Sequence, residues 1–222
     1  MNNSLYFAVF AEKTGLSPLL RLGLGFDGSG APLLPDASAP ACAGLGLHDL
    51  YPPSEEGAEA LLDYVNQSEL PLLCDFERPA QECWASLLRR LPSQRLIVPE
   101  QYASVPHAAV LCAPYLPARP FADWLAEKRR SFGRIVLDLQ PLACALRCGE
   151  REFFAQAPPA GVRGRLSDAL CCRCAAGLSD EGTPTLYFFD DRQTLAARQA
   201  AADAPGIVLL SEWEALQLTG DR

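Results

Sequence analysis

Short apolar segments of strand length recur along this sequence, and most of them are followed by a segment with a helical pattern. Such alternation is typical of a parallel sheet whose connecting helices pack outside it. We predict eight strands, at residues 5–11, 45–51, 71–77, 96–100, 107–115, 134–140, 186–191 and 207–213. Eight strands in a chain of 222 residues predict a single α/β domain over residues 1–222, a small and irregular (β/α)8 TIM-type barrel. An open, doubly wound α/β sheet is the alternative fold.

The segment from about residue 17 to residue 42 does not fit this alternation. Residues 20–30 predict a hairpin arm that enters an Asp-Gly turn, and a loop rich in Pro and Ala follows. We therefore expect a hairpin and loop excursion from the barrel in this segment. Alternatively, residues 20–26 form a barrel strand and the strand at residues 5–11 is peripheral.

Helices are predicted between the strands from their caps and apolar stripes. Ser54 is a suitable N-cap, and Glu55 and Glu56 suit the first turn of the helix that follows it. The predicted helices cover residues 54–67, 80–91, 121–130 and 193–202, and a hairpin is predicted over residues 143–156.

The chain has nine cysteines, an odd number. Cys74 and Cys112 lie within apolar strands, where a thiol behaves as a small hydrophobic group. A second group comprises Cys144, Cys148, Cys171, Cys172 and Cys174, the last three on a helix that we predict to be capped by Ser167. A zinc or redox site is one reading of this group, but the spacing departs from the paired Cys-x2–4-Cys pattern. Buried thiols are therefore the favoured interpretation, and no metal site is predicted.

Composition and charge exclude several functions. A formal net charge of −8 and a pI near 4.8 oppose binding to nucleic acid or to an anionic membrane surface. No membrane-spanning run and no basic N-terminal region of a signal peptide is visible, so we expect a cytoplasmic protein with reduced thiols. Phosphate-binding loops and dinucleotide fingerprints are absent from the sequence, and no cofactor is predicted.

Polar residues follow the predicted strands at the points where the strands end. In a barrel these ends meet at one rim, which is where barrel enzymes carry out their chemistry. The candidate binding residues at this rim are Asp49, Glu100, Tyr115, Asp138, Gln140, Asp190, Glu212 and Trp213. Carboxylates combined with aromatic side chains suit a carbohydrate ligand, because acids act on the glycosidic bond and aromatic faces contact sugar rings.

The strand that ends in Asp75 and Glu77 carries the most specific motif. These two residues are two positions apart, so in an extended chain their side chains point to the same face. The motif Leu73-Cys-Asp-Phe-Glu-Arg-Pro79 resembles the end of the strand motif Asp-x-x-Asp-x-Asp-x-Glu of family-18 glycoside hydrolases, the chitinase-like barrels. A second similarity covers Phe189-Asp-Asp and the segment that leads to Trp213, which resemble the last two strands of that family. The two earlier aspartates of the motif are absent here, and Leu73 stands in place of the nearer one.

The resemblance implies roles for four residues. Glu77 would be the general acid, and Asp75 would orient the substrate's N-acetyl group as that group attacks its own anomeric carbon. Tyr115 would take the role of a strand-end Tyr, and Trp213 would form the floor of the sugar site. The missing aspartates leave two hypotheses open, a glycosidase, active or lapsed, and a non-catalytic barrel that binds a ligand or protein partner at the same rim.

Overall fold

The computed structural model describes residues 4–10, 19–35 and 44–212 of the chain. Four helices lie within these residues, α1 (Glu55–Asn66), α2 (Glu82–Leu88), α3 (Phe121–Phe132) and α4 (Arg192–Ala201). The strands are β1 (Ser4–Phe10), β2 (Leu19–Phe26), β3 (Pro32–Leu33), β4 (Gly44–His48), β5 (Leu72–Asp75), β6 (Leu96–Pro99), β7 (Ala109–Cys112), β8 (Ile135–Asp138), β9 (Ala143–Arg147), β10 (Phe154–Ala155), β11 (Arg165–Ser167), β12 (Cys172–Leu178), β13 (Pro184–Phe189) and β14 (Ile207–Glu212). Short 3-10 turns at Ser93–Arg95 and Glu100–Tyr102 flank β6.

The main sheet is largely parallel. Its parallel series runs in the order β2-β4-β5-β6-β7-β8-β14, with every neighbouring pair parallel. Strand β1 pairs antiparallel with β2 through its first half and with β14 through its second half, so it links the two ends of the series. The predicted α/β class is confirmed, and the arrangement is consistent with a small, irregular TIM-type barrel.

The segment around residue 20 contributes a strand to the main sheet. Strand β2 pairs parallel with β4, so residues 20–26 form a strand of the sheet as the alternative predicted. The other half of that alternative is wrong, because β1 is not peripheral and pairs with both β2 and β14. The predicted Asp-Gly hairpin turn is also present, because β2 and β3 pair antiparallel and the Asp27 carboxylate accepts the N–H of Ser29 at 2.8 Å. Gly30 follows in the left-handed region with a φ of 81°. Its carbonyl accepts the Ser54 N–H, so this turn is attached to the start of α1.

A second, antiparallel sheet has the strand order β10-β9-β13-β12-β11. It lies between β8 and α4 in the sequence. The prediction that residues 186–191 form a barrel strand is wrong, because β13 lies in the middle of this second sheet. In β13, Thr185 and Tyr187 are buried on one face and Phe188 is buried on the other, whereas Leu186 is exposed. The predicted hairpin over residues 143–156 is confirmed by the pairing of β9 with β10.

The predicted helix after Ser167 is also wrong. Strand β12 occupies this region, and Cys172 and Cys174 lie on the same face of it, with their Sγ atoms 3.8 Å apart. Cross-strand pairing favours a strand over a helix here, because Cys174 lies opposite Phe188 in β13 and Cys172 lies opposite Ser167 in β11. Within the described ranges, no group of three or more His, Cys, Asp or Glu residues is placed to hold a metal ion.

The largest core lies where α1 and α2 pack against the main sheet. Helix α1 begins as predicted, with the Ser54 hydroxyl accepting the Gly57 N–H at 3.0 Å, and it buries Leu61 and Val65. From α2, the Trp84 side chain is 1% exposed and contacts the rings of Phe26 and Phe76, with centroids 5.6 and 4.7 Å away. Burying an indole of this size stabilises the fold by about 4–6 kcal/mol. Helices long and apolar enough to cross a bilayer are not found in the described part of the chain.

Candidate functional site

A small apolar cluster fills one face of the main sheet beneath the predicted rim. It contains Leu73 of β5, Ala109 of β7 and Val136 of β8, which are on three different strands. Side chains alternate between the two faces of a strand, so Asp75 shares its face with Leu73 and Asp138 shares its face with Val136. Both aspartates therefore lie on the same face of the sheet as this cluster, at the carboxyl ends of their strands. The structure thus places these two strand-end acids on one face of the main sheet.

His48 extends this group from the neighbouring strand. It ends β4 and lies in register opposite Asp75 of β5. The His48 Nδ1 atom is 3.8 Å from the Asp75 Oδ2 atom, and both side chains are about one-third exposed, at 30% and 38%. This distance is within ion-pair range but longer than a hydrogen bond. A protonated imidazole here would sit beside the carboxylate that the resemblance makes the partner of Glu77.

Glu77 lies in the loop that follows β5. Its residue is exposed, whereas the preceding residue, Phe76, is 6% exposed and packs in the main core. The Phe76 ring contacts Trp84 and Tyr102, with centroids 4.7 and 5.5 Å away. Burial alternates from the end of the strand onward, with Asp75 partly exposed, Phe76 buried and Glu77 exposed, whereas Leu72, Leu73 and Cys74 of β5 are all buried. The two carboxylates are thus accessible from solvent while the intervening ring anchors the backbone.

Asp49 lies beneath this loop and is 6% exposed. Its carboxylate accepts the backbone N–H of Glu77 at 3.2 Å and that of Arg78 at 2.9 Å. From the other side, the Gln101 side-chain amide donates to the carbonyls of Phe76 and Arg78 at 3.2 and 3.3 Å. The loop that carries Glu77 is therefore held by residues from the two neighbouring loops.

Asp138 and Gln140 form a second polar group at the rim. The Gln140 side-chain amide donates to Asp138 Oδ2 at 2.9 Å, and Gln140 is exposed. This hydrogen bond leaves the Gln140 amide with further donor and acceptor capacity that faces solvent. The pair can therefore take part in hydrogen bonding to a polar ligand.

Glu100 connects two elements of the fold. One carboxylate oxygen accepts the Ala113 N–H at 2.9 Å, and the other lies 2.5 Å from the Lys128 ammonium of α3. Both side chains are largely buried, at 24% and 15% exposed. Its contacts therefore join the end of β6 to the loop after β7 and to α3.

Tyr115 is buried in a second core. Its ring contacts Phe121 and Trp124 of α3, and its hydroxyl donates to the Arg119 carbonyl at 2.6 Å. Burial raises the pKa of the Tyr115 phenol well above its usual range. With 3% of its surface exposed, Tyr115 packs against α3 in the interior.

Asp190 and Asp191 stabilise the start of α4. The Asp190 carboxylate is fully buried, forms an ion pair with Arg198 and accepts the Leu142 N–H at 2.6 Å. Asp191 is the N-cap of α4 and accepts the Thr194 N–H at 2.9 Å. Burial alone would raise the pKa of Asp191, but the Thr194 N–H and the Arg173 guanidinium outweigh it and lower the pKa. Both acids therefore contact the protein itself.

Two predicted binding residues lie at or beyond residue 212, the last residue that the structure describes. Glu212 is the last residue of β14, whose backbone pairs with β1. Trp213 lies outside the described residues. Their predicted roles in sugar binding stay predictions.

Three further residues of this region are not among the candidates predicted from the sequence. His48 ends β4, and Gln101 lies immediately after Glu100. Tyr51 follows β4, is 43% exposed and is the one aromatic residue among the large exposed hydrophobic side chains of the described ranges. All three lie at or shortly after the end of a strand, and this position was the signal that the sequence offered.

Comparison with known proteins places the fold. No protein-family profile matches the chain, and no curated protein sequence matches it. Among solved structures, it is similar to the Bacillus subtilis protein ydhD, assigned as a sporulation-specific glycosylase, with 11% identity and a TM-score of 0.56. That match covers 93% of this chain and 96% of the other. It is also similar to a chitinase from Chromobacterium violaceum, with 12% identity and a TM-score of 0.55, over 90% of this chain and 88% of the other.

At these identities the likeness concerns the fold alone. The second match is with a chitinase. The motif that ends in Asp75 and Glu77 resembles that of the chitinase-like family-18 glycoside hydrolases. The resemblance to the family-18 glycoside hydrolases, predicted from that motif, is thus confirmed at the level of the fold.

Proposed function

We propose that this chain is a glycoside-hydrolase-like protein that acts on, or binds, a glycan containing an amino sugar. The observation that carries the proposal is the accessible carboxylate pair of Asp75 and Glu77 at the carboxyl end of β5. The pair lies in a fold shared with a chitinase. Glu77 is the general acid in this proposal, and Asp75 is its partner.

The proposed reaction assigns each carboxylate one task. Glu77 gives its proton to the glycosidic oxygen as the bond from that oxygen to the anomeric carbon breaks. Asp75 orients the substrate's acetamido group, whose oxygen forms the new bond to the anomeric carbon. Water then opens this cyclic intermediate, and Glu77 takes back a proton as the general base. His48, at 3.8 Å, places a group that can be cationic beside Asp75.

The proposed sugar contacts extend along the rim from these acids. Asp138 and Gln140 supply hydrogen-bonding groups, and Tyr51 supplies an exposed aromatic face. Glu212 and Trp213 remain in the proposed set from the sequence. We assign Asp49, Glu100, Tyr115 and Asp190 to support of the site, since each is buried or engaged by neighbouring protein groups.

Binding without hydrolysis is the second candidate function. Leu73 stands where the family motif carries an aspartate, and its side chain packs in the apolar cluster with Ala109 and Val136. Tyr115, one of the four residues to which the resemblance assigned a role, is buried against α3. A site that lacks both groups could hold an amino sugar and fail to cleave it.

The test is a screen of chito-oligosaccharides and peptidoglycan fragments for release of reducing ends. Glu77→Gln removes the acid and keeps its size, so turnover should fall about 10²- to 10⁴-fold. Glu82→Gln is the matched control, because Glu82 is an exposed glutamate of α2 that is paired with Arg89. Turnover that is unchanged in Glu77→Gln would contradict the acid assignment. Binding detected by calorimetry without turnover would select the second candidate. The absence of both binding and turnover would refute the proposal.

A further inference from the structure

We infer that Asp49 and Gln101 are positioning residues that act together to fix the backbone beneath Glu77. The inference rests on the proposed role of Glu77. The sequence predicts that Asp49 contacts a ligand. The inference instead gives Asp49 the role of holding the loop that carries Glu77. Gln101 has no role in the sequence-based predictions.

The two residues satisfy opposite polar groups of the same short loop. Asp49 accepts from the N–H groups of Glu77 and Arg78, and Gln101 donates to the carbonyls of Phe76 and Arg78. Two side chains thus bind four backbone groups on three consecutive residues. Bonds from N–H groups to a carboxylate are among the stronger hydrogen bonds in proteins, particularly where the acceptor is buried.

The loop is also anchored on either side of Glu77. Before it, the Phe76 ring packs against Trp84 and Tyr102. After it, the Gln81 N–H donates to the Tyr102 hydroxyl at 2.9 Å. Between these anchors, and within the described ranges, the hydrogen bonds of Asp49 and Gln101 are the only ones that hold the backbone of residues 77 and 78. We therefore expect their removal to loosen this segment without unfolding its surroundings.

Positioning of this kind matters for an acid that must meet one oxygen atom. A displacement of about 1 Å in a catalytic group can reduce turnover about 100-fold. Because Asp49 comes from the loop after β4 and Gln101 from the turn after β6, the position of Glu77 is set by both neighbouring strands. The site is thereby organised before any ligand binds.

The first test measures amide hydrogen exchange in the free protein, so it needs no substrate. Asp49→Ala removes both acceptors and should accelerate exchange at Glu77 and Arg78 by about tenfold or more. Asp49→Asn keeps one oxygen acceptor and should give an intermediate rate. Gln101→Met keeps the length of the side chain and removes its donors. It should accelerate exchange at the same two amides, although Gln101 does not contact them.

Glu59→Gln is the matched control, because Glu59 is an exposed acid of α1 whose carboxylate pairs with Arg90. It should leave exchange at Glu77 and Arg78 unchanged. Unchanged exchange at these amides in Gln101→Met would overturn the joint action of the two residues. Since Gln101 is exposed, this variant keeps the test decisive even where Asp49→Ala fails to fold.

The second test uses turnover of chito-oligosaccharides by the intact chain. Gln101→Met and Asp49→Asn should lower kcat about 10- to 100-fold while KM stays within about twofold, because the ligand contacts are intact. A rise in KM at constant kcat would instead assign Asp49 to ligand contact. If the unmodified protein shows no turnover, the general-acid role proposed for Glu77 fails, and the exchange measurement still judges the positioning role.

Discussion

His48 and Asp75 lie opposite each other at the ends of two neighbouring parallel strands, with Nδ1 and Oδ2 3.8 Å apart. Their partial exposure means that solvent screens the attraction between them. The pair therefore contributes little to stability.

A double-mutant cycle over His48→Gln and Asp75→Asn measures this coupling. For a partly exposed ion pair we expect a coupling of about 0.2–1 kcal/mol in the free energy of unfolding, in favour of the folded state. Urea unfolding of the four proteins provides the measurement. A coupling that disfavours the folded state would contradict an ion pair.

The buried pair of Asp190 and Arg198 should behave differently. Their side chains are 0% and 2% exposed, so loss of one partner leaves an uncompensated charge in the interior. We expect Asp190→Ala to lower the free energy of unfolding by about 3–5 kcal/mol. Glu82→Gln breaks the exposed pair with Arg89 and should change stability by less than about 1 kcal/mol. Equal effects of the two substitutions would contradict the burial of Asp190.

Local signals predicted much of the first half of the chain. The Ser54 cap with its acidic first turn locates α1, and the strand that ends in Asp75 lies where its apolar run ends. These two elements could be predicted because their local sequence preferences agree with the tertiary packing. The second sheet could not be predicted in this way, because Cys172 and Cys174 fit either a helix or a strand. Their pairing with distant residues such as Phe188 decides between the two.

For the candidate site, the sequence indicates where strand-end residues lie but not what they contact, and the reason is related. A strand-end position indicates that a polar residue lies near the rim, but it does not reveal what the side chain contacts. Asp75 is accessible at the rim, whereas Asp49 turns to the backbone of Glu77 and Asp190 pairs with Arg198. Glu77 is 28 residues from Asp49 in the sequence and Arg198 is 8 residues from Asp190, and no local sequence pattern predicts either contact.

The N-cap of α4 gives a prediction with a defined pH dependence. Asp191 has a lowered pKa in the folded protein, so its charge adds stability above the pKa of the unfolded chain, near 4. That contribution is lost as the pH falls through the lower, folded pKa. Asp191→Asn keeps a capping oxygen but removes the charge beside Arg173. The unmodified protein should therefore be more stable than this variant at pH 7, and the difference should shrink below about pH 4.

Asp191→Ala separates the cap from the charge. It removes the acceptor of the Thr194 N–H as well, so at pH 7 it should cost about 0.5–2 kcal/mol in the free energy of unfolding. Urea unfolding at pH 7 and pH 3 compares both variants with the unmodified protein. A difference between Asp191→Asn and the unmodified protein that grows as the pH falls would contradict the lowered pKa.

Cysteine reactivity tests the burial of the two sheets. Burial raises the pKa of the Cys112 thiol to about 12 and that of the Cys144 thiol to about 11, so few of these groups are thiolates near pH 8. Cys83 and Cys148 are exposed. Brief treatment of the native protein with iodoacetamide, followed by peptide mass mapping, should therefore modify the exposed pair at least about tenfold faster.

The same mapping after unfolding in urea is the control, since all four thiols should then react at similar rates. Cys74 should follow the slow pair in the native protein, because it is fully buried in β5. Labelling of Cys112 or Cys144 as fast as Cys83 in the native state would mean that the sheets open readily. That outcome would contradict the packing of Cys112 beneath α3 and of Cys144 against Phe188.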